Sequence, residues 1–488
     1  MTERETNILR NRLVPCPREA VFSDGADYCL KNGCAVTLCV PEDLAGEAKE
    51  YAEGILSEYW QVTTEANCAA LRKKRIHPEG YELTVKAEKL TVSAVSVAGV
   101  RNAFRTLRQL AETERNVEHF SCYILPPCEI RDAPAMDFRG IHFCWFPETP
   151  YWEMEKQLRL AAYMKFNYAV IEPWGVFPYK SHPELVFQDM KIKRKEMKKL
   201  VRLAYELGVT PIPQINIFGH ASWARSGSGK HATLGSHPEL ASLFEPGGWA
   251  WCLSNPATRE YLTDIIEEIM DVFGNPPFFH AGCDEADHMA TCSVCRKHPA
   301  MELVRDHLTY FHDLAAKRGA RMLMWHDMLL ERQDPRWKGY IVCGEKLDGL
   351  AGLYKELPKD IVICDWQYGQ PNPESKIEWP TSVFFKKAGF DVLACPWTDQ
   401  TGARKFIRFA AEKKLFGVLQ TTWHRNRGFS MPVHYVIAGN RAWNPDADHD
   451  FGNVALYIQQ IDSDAGLFAD YRTAGRSVWQ IVPESYPD

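Results

Sequence analysis

From Asp137 onward the chain repeats one pattern: a short apolar run, a turn, then an amphipathic stretch. Eight such runs can be marked, at 138–144, 167–172, 210–216, 278–283, 321–326, 361–366, 391–396 and 415–422. Runs of this length without polar alternation suit strands buried on both faces, as in parallel sheets. Helical stretches lie between them. Met197, Leu200, Val201, Ala204 and Leu207 keep a helical period, and 304–316 is a second good helix. Eight β/α units over this length predict an α/β fold of the (β/α)8 type, a TIM barrel with some long loops after its strands. A doubly wound open sheet shares the alternation. It is disfavoured because no Gly-rich phosphate fingerprint stands at a first strand–helix turn.

The first 130 or so residues are patterned differently. Cys34 to Val40, Tyr81 to Val85 and Leu90 to Val95 read as strands. The stretch from Leu44 to Tyr59 reads as a helix, and Val100, Ala103, Phe104, Leu107 and Leu110 mark another. Strands with helices on one face predict a small α+β domain. The expected organisation is an N-terminal non-catalytic domain at 1–130, a catalytic barrel at 131–450 and a helical C-terminal extension at 451–488. A net charge of -6 without a long basic or acidic block gives no reason to expect nucleic acid or an anionic membrane as partner. No stretch is long and apolar enough to span a bilayer. The polar start, Met1-Thr-Glu-Arg-Glu-Thr, shows no signal peptide, and 15 scattered cysteines fit a reduced chain better than a disulfide framework. The expected location is therefore cytoplasmic.

The run at 278–283 ends in an acidic pair, Asp284 and Glu285. Neighbours on a strand point to opposite faces. Two adjacent carboxylates converge on one ligand only where the strand ends and the backbone turns. Four later strands end next to aromatic residues: Trp325, then Trp366 with Tyr368, then Trp397 with Asp399, then Trp423-His424-Arg425. One such Trp is ordinary packing. Four on the rim that carries an acidic pair fit a sugar pocket, because indole rings suit the apolar faces of sugars.

The segment His280-Ala-Gly282-Cys-Asp284-Glu285 is H-x-G-x-D-E, which resembles the catalytic signature of glycoside hydrolase family 20, the β-N-acetylhexosaminidases. The stretch from Tyr81 through Leu110 is similar to the non-catalytic domain that precedes many barrels of that family. The resemblance implies roles. Arg139 would bind hydroxyls of the terminal sugar, and Glu172 would stand where other members place Asp. His220, in Phe218-Gly219-His220, would buttress the catalytic pair. Trp325, Trp366, Trp397 and Trp423 would wall the acetamido group. Two departures stand out: Arg425 replaces a Glu commonly found two positions after the last Trp, and strand seven lacks a Tyr that commonly binds the acetamido carbonyl. Tyr368 could take that task, or Trp397 and Asp399 mark a changed pocket.

The reaction implied is exo-hydrolysis of terminal GlcNAc or GalNAc from a small glycoside or oligosaccharide, with no cofactor needed for catalysis. Retaining glycosidases ordinarily set two carboxylates roughly 5 Å apart across the bond, and inverting ones roughly 6.5–9.5 Å. Adjacent side chains suit neither arrangement well. They suit a substrate-assisted route, in which the 2-acetamido oxygen attacks the anomeric carbon and forms an oxazolinium ion. Glu285 would be the acid and then the base, its pKa raised by burial beside Asp284, which would hold the acetamido N–H. Past the pair, His288, Cys292, Cys295 and His298 form H-x3-C-x2-C-x2-H, a spacing that can hold a structural zinc. Two other readings compete: a metal-dependent barrel hydrolase using His220, His280, Asp284 and Glu285, and a disabled barrel that only binds sugar. A homodimer is the one assembly allowed for.

Overall fold

The computed structural model describes residues 2–30, 35–56, 61–66, 76–116, 119–187, 192–222, 230–231, 233–345, 350–423 and 431–450. The expected helical extension at 451–488, and His424 and Arg425, lie outside these residues. The chain divides into two compact units. One comprises Met1–Ala135, Arg159–Lys165 and Tyr435–Asp488, and the other Met136–Leu158 and Phe166–His434. The break thus comes at Ala135, a few residues beyond the expected one. Two later pieces group with the N-terminal unit, which a reading along the chain does not anticipate.

The first unit is α+β. Strands β1 (Glu19–Phe22), β3 (Ala35–Cys39), β4 (Gln61–Glu65), β5 (Tyr81–Lys86), β6 (Lys89–Ser93) and β9 (Cys128–Asp132) form one sheet in the order β1-β9-β5-β6-β3-β4. Strands β2 (Tyr28–Leu30), β7 (Glu112–Asn116) and β8 (His119–Leu125) form a second, in the order β2-β8-β7. The buried residues Leu83, Val85, Leu90 and Val92 meet Val100, Phe104 and Leu107 of the helix Val97–Leu110 in one core. That core encloses a cation. Lys165 Nζ donates to Tyr81 Oη, Thr106 Oγ1 and Asp132 Oδ2, each at 3.1 Å. A buried ammonium is tolerable only when its donors are used in this way. Most described cysteines carry free thiols, but Cys39 is disulfide-bonded, so the expectation of a wholly reduced chain does not hold.

The second unit is the barrel. Its strands are β10 (Phe138–Trp145), β11 (Tyr168–Pro173), β12 (Thr210–Pro213), β13 (Phe278–His280), β14 (Arg321–Trp325), β15 (Val362–Trp366), β16 (Asp391–Cys395) and β17 (Gly417–Thr421). They form one parallel sheet in the order β12-β11-β10-β17-β16-β15-β14-β13. A parallel bridge between Gln214 and His280 brings its two ends together. All eight expected strands are present. β12 and β13 are shorter than expected because the chain leaves the ladder early to build the site. The floor is sealed where the strands begin. Phe138 stacks on Tyr168 at 4.3 Å and meets Phe278 and Phe416 edge-on or tilted at 5.5 and 5.6 Å. With that end plugged, a ligand can enter only where the strands end.

Candidate active site

Backbone geometry makes the acidic pair converge. β13 ends at His280, and Gly282, Cys283 and Glu285 then adopt φ of 67°, 78° and 45°. Left-handed backbone at non-Gly residues is costly and persists where packing enforces it. Here it breaks strand alternation and turns Asp284 and Glu285 toward a common partner. Gly282 also explains the motif's glycine, since a Cβ there would fall 1.2 Å from Asn216 Oδ1. Gly219 is required for a similar reason: its Cβ would lie 2.7 Å from the Asp284 carbonyl.

His220 Nε2 lies 3.5 Å from Asp284 Oδ2 and 3.4 Å from Glu285 Oε2. Asp284 is buried, and its Oδ1 accepts from Asn216 Nδ2 at 2.9 Å. Glu285 reaches the surface, with 47% of its side chain exposed. The pair therefore splits by depth, one carboxylate fixed below and one reaching the rim. The hydrogen bond from His220 lowers the Glu285 pKa, and partial burial does not reverse this. The expectation of a raised Glu285 is thus incorrect for the protein without substrate, because the imidazole faces the carboxylate and half of it remains in water. The raised carboxyl is Asp327, pushed up to about 6 by burial and by the charge of Asp284. Asp327 Oδ2 accepts from the Glu285 backbone N–H at 2.9 Å, and its Oδ1 accepts from Trp366 Nε1 at 3.1 Å.

Aromatic residues meet at several strand ends, but Trp325 is fully buried in the barrel core and cannot itself wall a pocket as expected. Trp325 lies 5.4 Å from Trp423, Trp366 lies 5.2 Å from Tyr368, and Tyr368 lies 5.1 Å from Trp397. Trp423 Nε1 donates to Tyr368 Oη. Trp397 Nε1 donates to the Thr422 carbonyl at 3.2 Å, which ties the last two strand ends together.

Two expected ligands stand elsewhere, and a third, Glu172, stands at the rim but is already occupied. Arg139 is at the second position of β10, beside the aromatic floor, and its Nη1 donates to the Met136 carbonyl at 2.7 Å. It sits at the strand's beginning, whereas the rim is at its end. Asp399 caps the helix Gln400–Glu412, accepting from Thr401 N and Gly402 N at 3.0 and 3.1 Å. Glu172 is 1% exposed and saturated. Its Oε1 accepts from Gln214 Nε2 at 2.6 Å and from Lys230 Nζ, and its Oε2 accepts from Trp174 Nε1 at 3.1 Å with His142 Nε2 at 3.3 Å. A carboxylate offers about four lone-pair sites, so little capacity remains for a sugar hydroxyl. Burial works against the Glu172 charge, but Lys230 and His142 outweigh it and hold its pKa low.

The expected zinc set does not assemble. Among the described residues Cys292 and Cys295 group with Cys252 and Glu245, and not with His288 or His298, which are both exposed. His280 is also unsuited to the metal-hydrolase reading. It is fully buried, its Nδ1 accepts from Gly282 N at 3.0 Å, and it belongs to none of the candidate metal groups among the described residues. Asn216, Lys230, Asp327 and Trp249 were not anticipated as site residues. Asn216 could have been suspected, since it follows β12 in phase with Gln214. Asp327 stands two residues after Trp325, as Asp399 does after Trp397, so the same spacing could have found it; Lys230 and Trp249 have no local signal.

The chain matches the family model described as "Glycosyl hydrolase family 20, catalytic domain" over residues 183–393, and the one for that family's domain 2 over residues 10–133. A "Beta-hexosaminidase" of Porphyromonas gingivalis is 24% identical over 294 residues, 51% of this chain and 36% of that one. A "Probable beta-hexosaminidase" of Arthroderma benhamiae is 25% identical over 425 residues, 79% of this chain and 65% of that one. The chain thus spans between about a third and two thirds of the length of these relatives. Among solved structures, an exo-β-N-acetylglucosaminidase from Vibrio harveyi aligns with a TM-score of 0.67 at 17% identity, over 93% of this chain and 78% of that one. A β-N-acetylhexosaminidase from Streptomyces coelicolor aligns with a TM-score of 0.65 at 16% identity, over 92% and 94% respectively. At these identities the structural likeness establishes the fold.

Proposed function

This chain belongs to glycosyl hydrolase family 20, and from that premise we propose that it is an exo-acting β-N-acetylhexosaminidase working by substrate assistance. The observation that carries this reading is the sharing of His220 by Asp284 and Glu285, which sets both carboxylates on one side of the pocket. A carboxylate nucleophile must instead lie across the sugar from the acid. With the pair on one side, the attacking group is the substrate's own acetamido oxygen. Glu285, at the rim, protonates the leaving oxygen and then activates water. Entry of the substrate covers Glu285, and the lost hydration raises its pKa toward the value an acid needs. Asp284, held by Asn216, orients the acetamido N–H and offsets the positive charge of the oxazolinium ion. Tyr368 accepts from Trp423 and can donate a hydrogen bond to the acetamido oxygen, orienting it for attack. No step of this route calls for a cofactor. The free thiols support a cytoplasmic site of action, with Cys39 the exception among the described residues. No described helix is long and apolar enough to cross a membrane.

The test sets two N-acetylhexosaminides against a glucoside that lacks the acetamido group at C2. The p-nitrophenyl β-N-acetylglucosaminide and galactosaminide should turn over with or without chelator, the β-glucoside should not, and a thiazoline mimic of the intermediate should inhibit. Glu285→Gln should lose roughly 10²–10⁴-fold on natural glycosides and less on activated phenols. Comparable cleavage of the glucoside, or indifference to the thiazoline, would refute the mechanism.

A further inference from the structure

The loop after β13 and the loop after β12 meet at three thiols. Cys252 Sγ lies 3.7 Å from Cys292 Sγ and 3.7 Å from Cys295 Sγ. A disulfide requires about 2.05 Å, and three sulfurs cannot all pair. Two sulfurs on one tetrahedral zinc, at Zn–S of about 2.3 Å, stand about 3.8 Å apart. The Cys295 backbone N–H points to Cys292 Sγ at 3.3 Å.

A fourth group faces them. Glu245 is 2% exposed. Its Oε2 accepts from Thr291 N at 2.8 Å and Cys292 N at 2.5 Å, while its Oε1 is buried with no hydrogen-bond partner. A buried carboxylate oxygen without a donor or cation is unfavourable. Ligand atoms of Glu245, Cys252, Cys292 and Cys295 all lie within 4.8 Å of one another. We propose that these four residues bind one zinc ion in a closed, four-coordinate structural site. Three thiolates select a soft or borderline metal, and one carboxylate completes the tetrahedron and leaves no position open for chemistry.

The site stands beside the acidic pair without touching it. Cys252 follows Trp251, whose Nε1 donates to the Asn216 carbonyl at 2.9 Å, and Trp249 Nε1 donates to the Glu285 carbonyl at 2.6 Å. The ion would clamp the two loops that hold Asn216 and Glu285 in place. The assignment does not depend on which sugar is cleaved.

Elemental analysis of tag-free protein, purified under reducing conditions, should find about one zinc per chain. Cys252→Ser should lose it. Glu245→Gln should weaken it by at least about tenfold. His288→Ala and His298→Ala should keep it. Should Cys252→Ser fail to fold, the unaltered protein answers alone: a thiol-blocking mercurial should release zinc to a chromophoric chelator, and cobalt in its place should show sulfur-to-metal charge-transfer absorption. The proposal is overturned by a protein that neither contains zinc nor takes up zinc or cobalt after reduction. Loss of the metal in the His variants, or a thiol count showing Cys252 in a disulfide, overturns it equally.

Discussion

Replacing Lys230 by Met strands a carboxylate. Glu172 and Lys230 have side chains only 2% and 3% exposed, and each is the other's principal counter-charge. Removing one member of a buried pair costs about 3–5 kcal/mol, because the survivor keeps its desolvation penalty and loses its compensation. Gln214 and Trp174 still donate to Glu172 in the variant, so the low end of that range is expected. With a urea slope of about 3 kcal/mol per molar, the barrel's unfolding midpoint should fall by roughly 1 M at pH 7. The pH dependence gives a sharper test. In the native protein the Glu172 pKa is lowered, so its stabilisation is present above the unfolded carboxylate value of about 4.3 and is lost only as pH falls through the lower folded value. In Lys230→Met burial has lost its largest opponent, with only His142 and the neutral donors left against it, so that pKa rises and the folded variant takes up a proton as pH falls. The gap between the two proteins should therefore shrink from pH 7 toward about 5. Glu172→Gln added to Lys230→Met should recover most of the loss. Urea titrations followed by tryptophan fluorescence at several pH values give these numbers. A midpoint change under about 0.3 M at pH 7, or a gap that widens on acidification, would refute the reasoning.

His220→Ala removes the contact that lowers the Glu285 pKa, so the limb of the kcat/KM profile governed by Glu285 should move to higher pH. A limb that stays in place or moves down would show that His220 does not set that proton's affinity. Asp399→Ala should cost about 1 kcal/mol of stability through the lost helix cap and leave KM unchanged. A tenfold rise in KM would return Asp399 to the sugar pocket.

The barrel was legible because each strand buried on both faces leaves a short unbroken apolar run, and eight such runs admit few folds. The acidic pair was legible for a related reason, since H-x-G-x-D-E is local chemistry at a strand's end. Which end of a strand faces the ligand is also local, and Arg139 shows that it can still be misread. It stands at the start of β10, among the residues that plug the floor.

What the sequence could not decide was partnership. Glu172 reads as a ligand until Lys230, Gln214 and Trp174 are seen to occupy its oxygens. Asp399 reads as a pocket residue until the helix that it caps is in place. The C-x2-C spacing pointed to His288 and His298, yet the third sulfur is Cys252, forty residues before Cys292, with Glu245 beside it. Asp327 rises to about 6 only because folding buries it beside Asp284. Spacing along one strand or loop determines which side chains can share a face. Closure of a barrel brings together loops dozens of residues apart, and that closure alone decides which charges are paired and which remain free to meet a sugar.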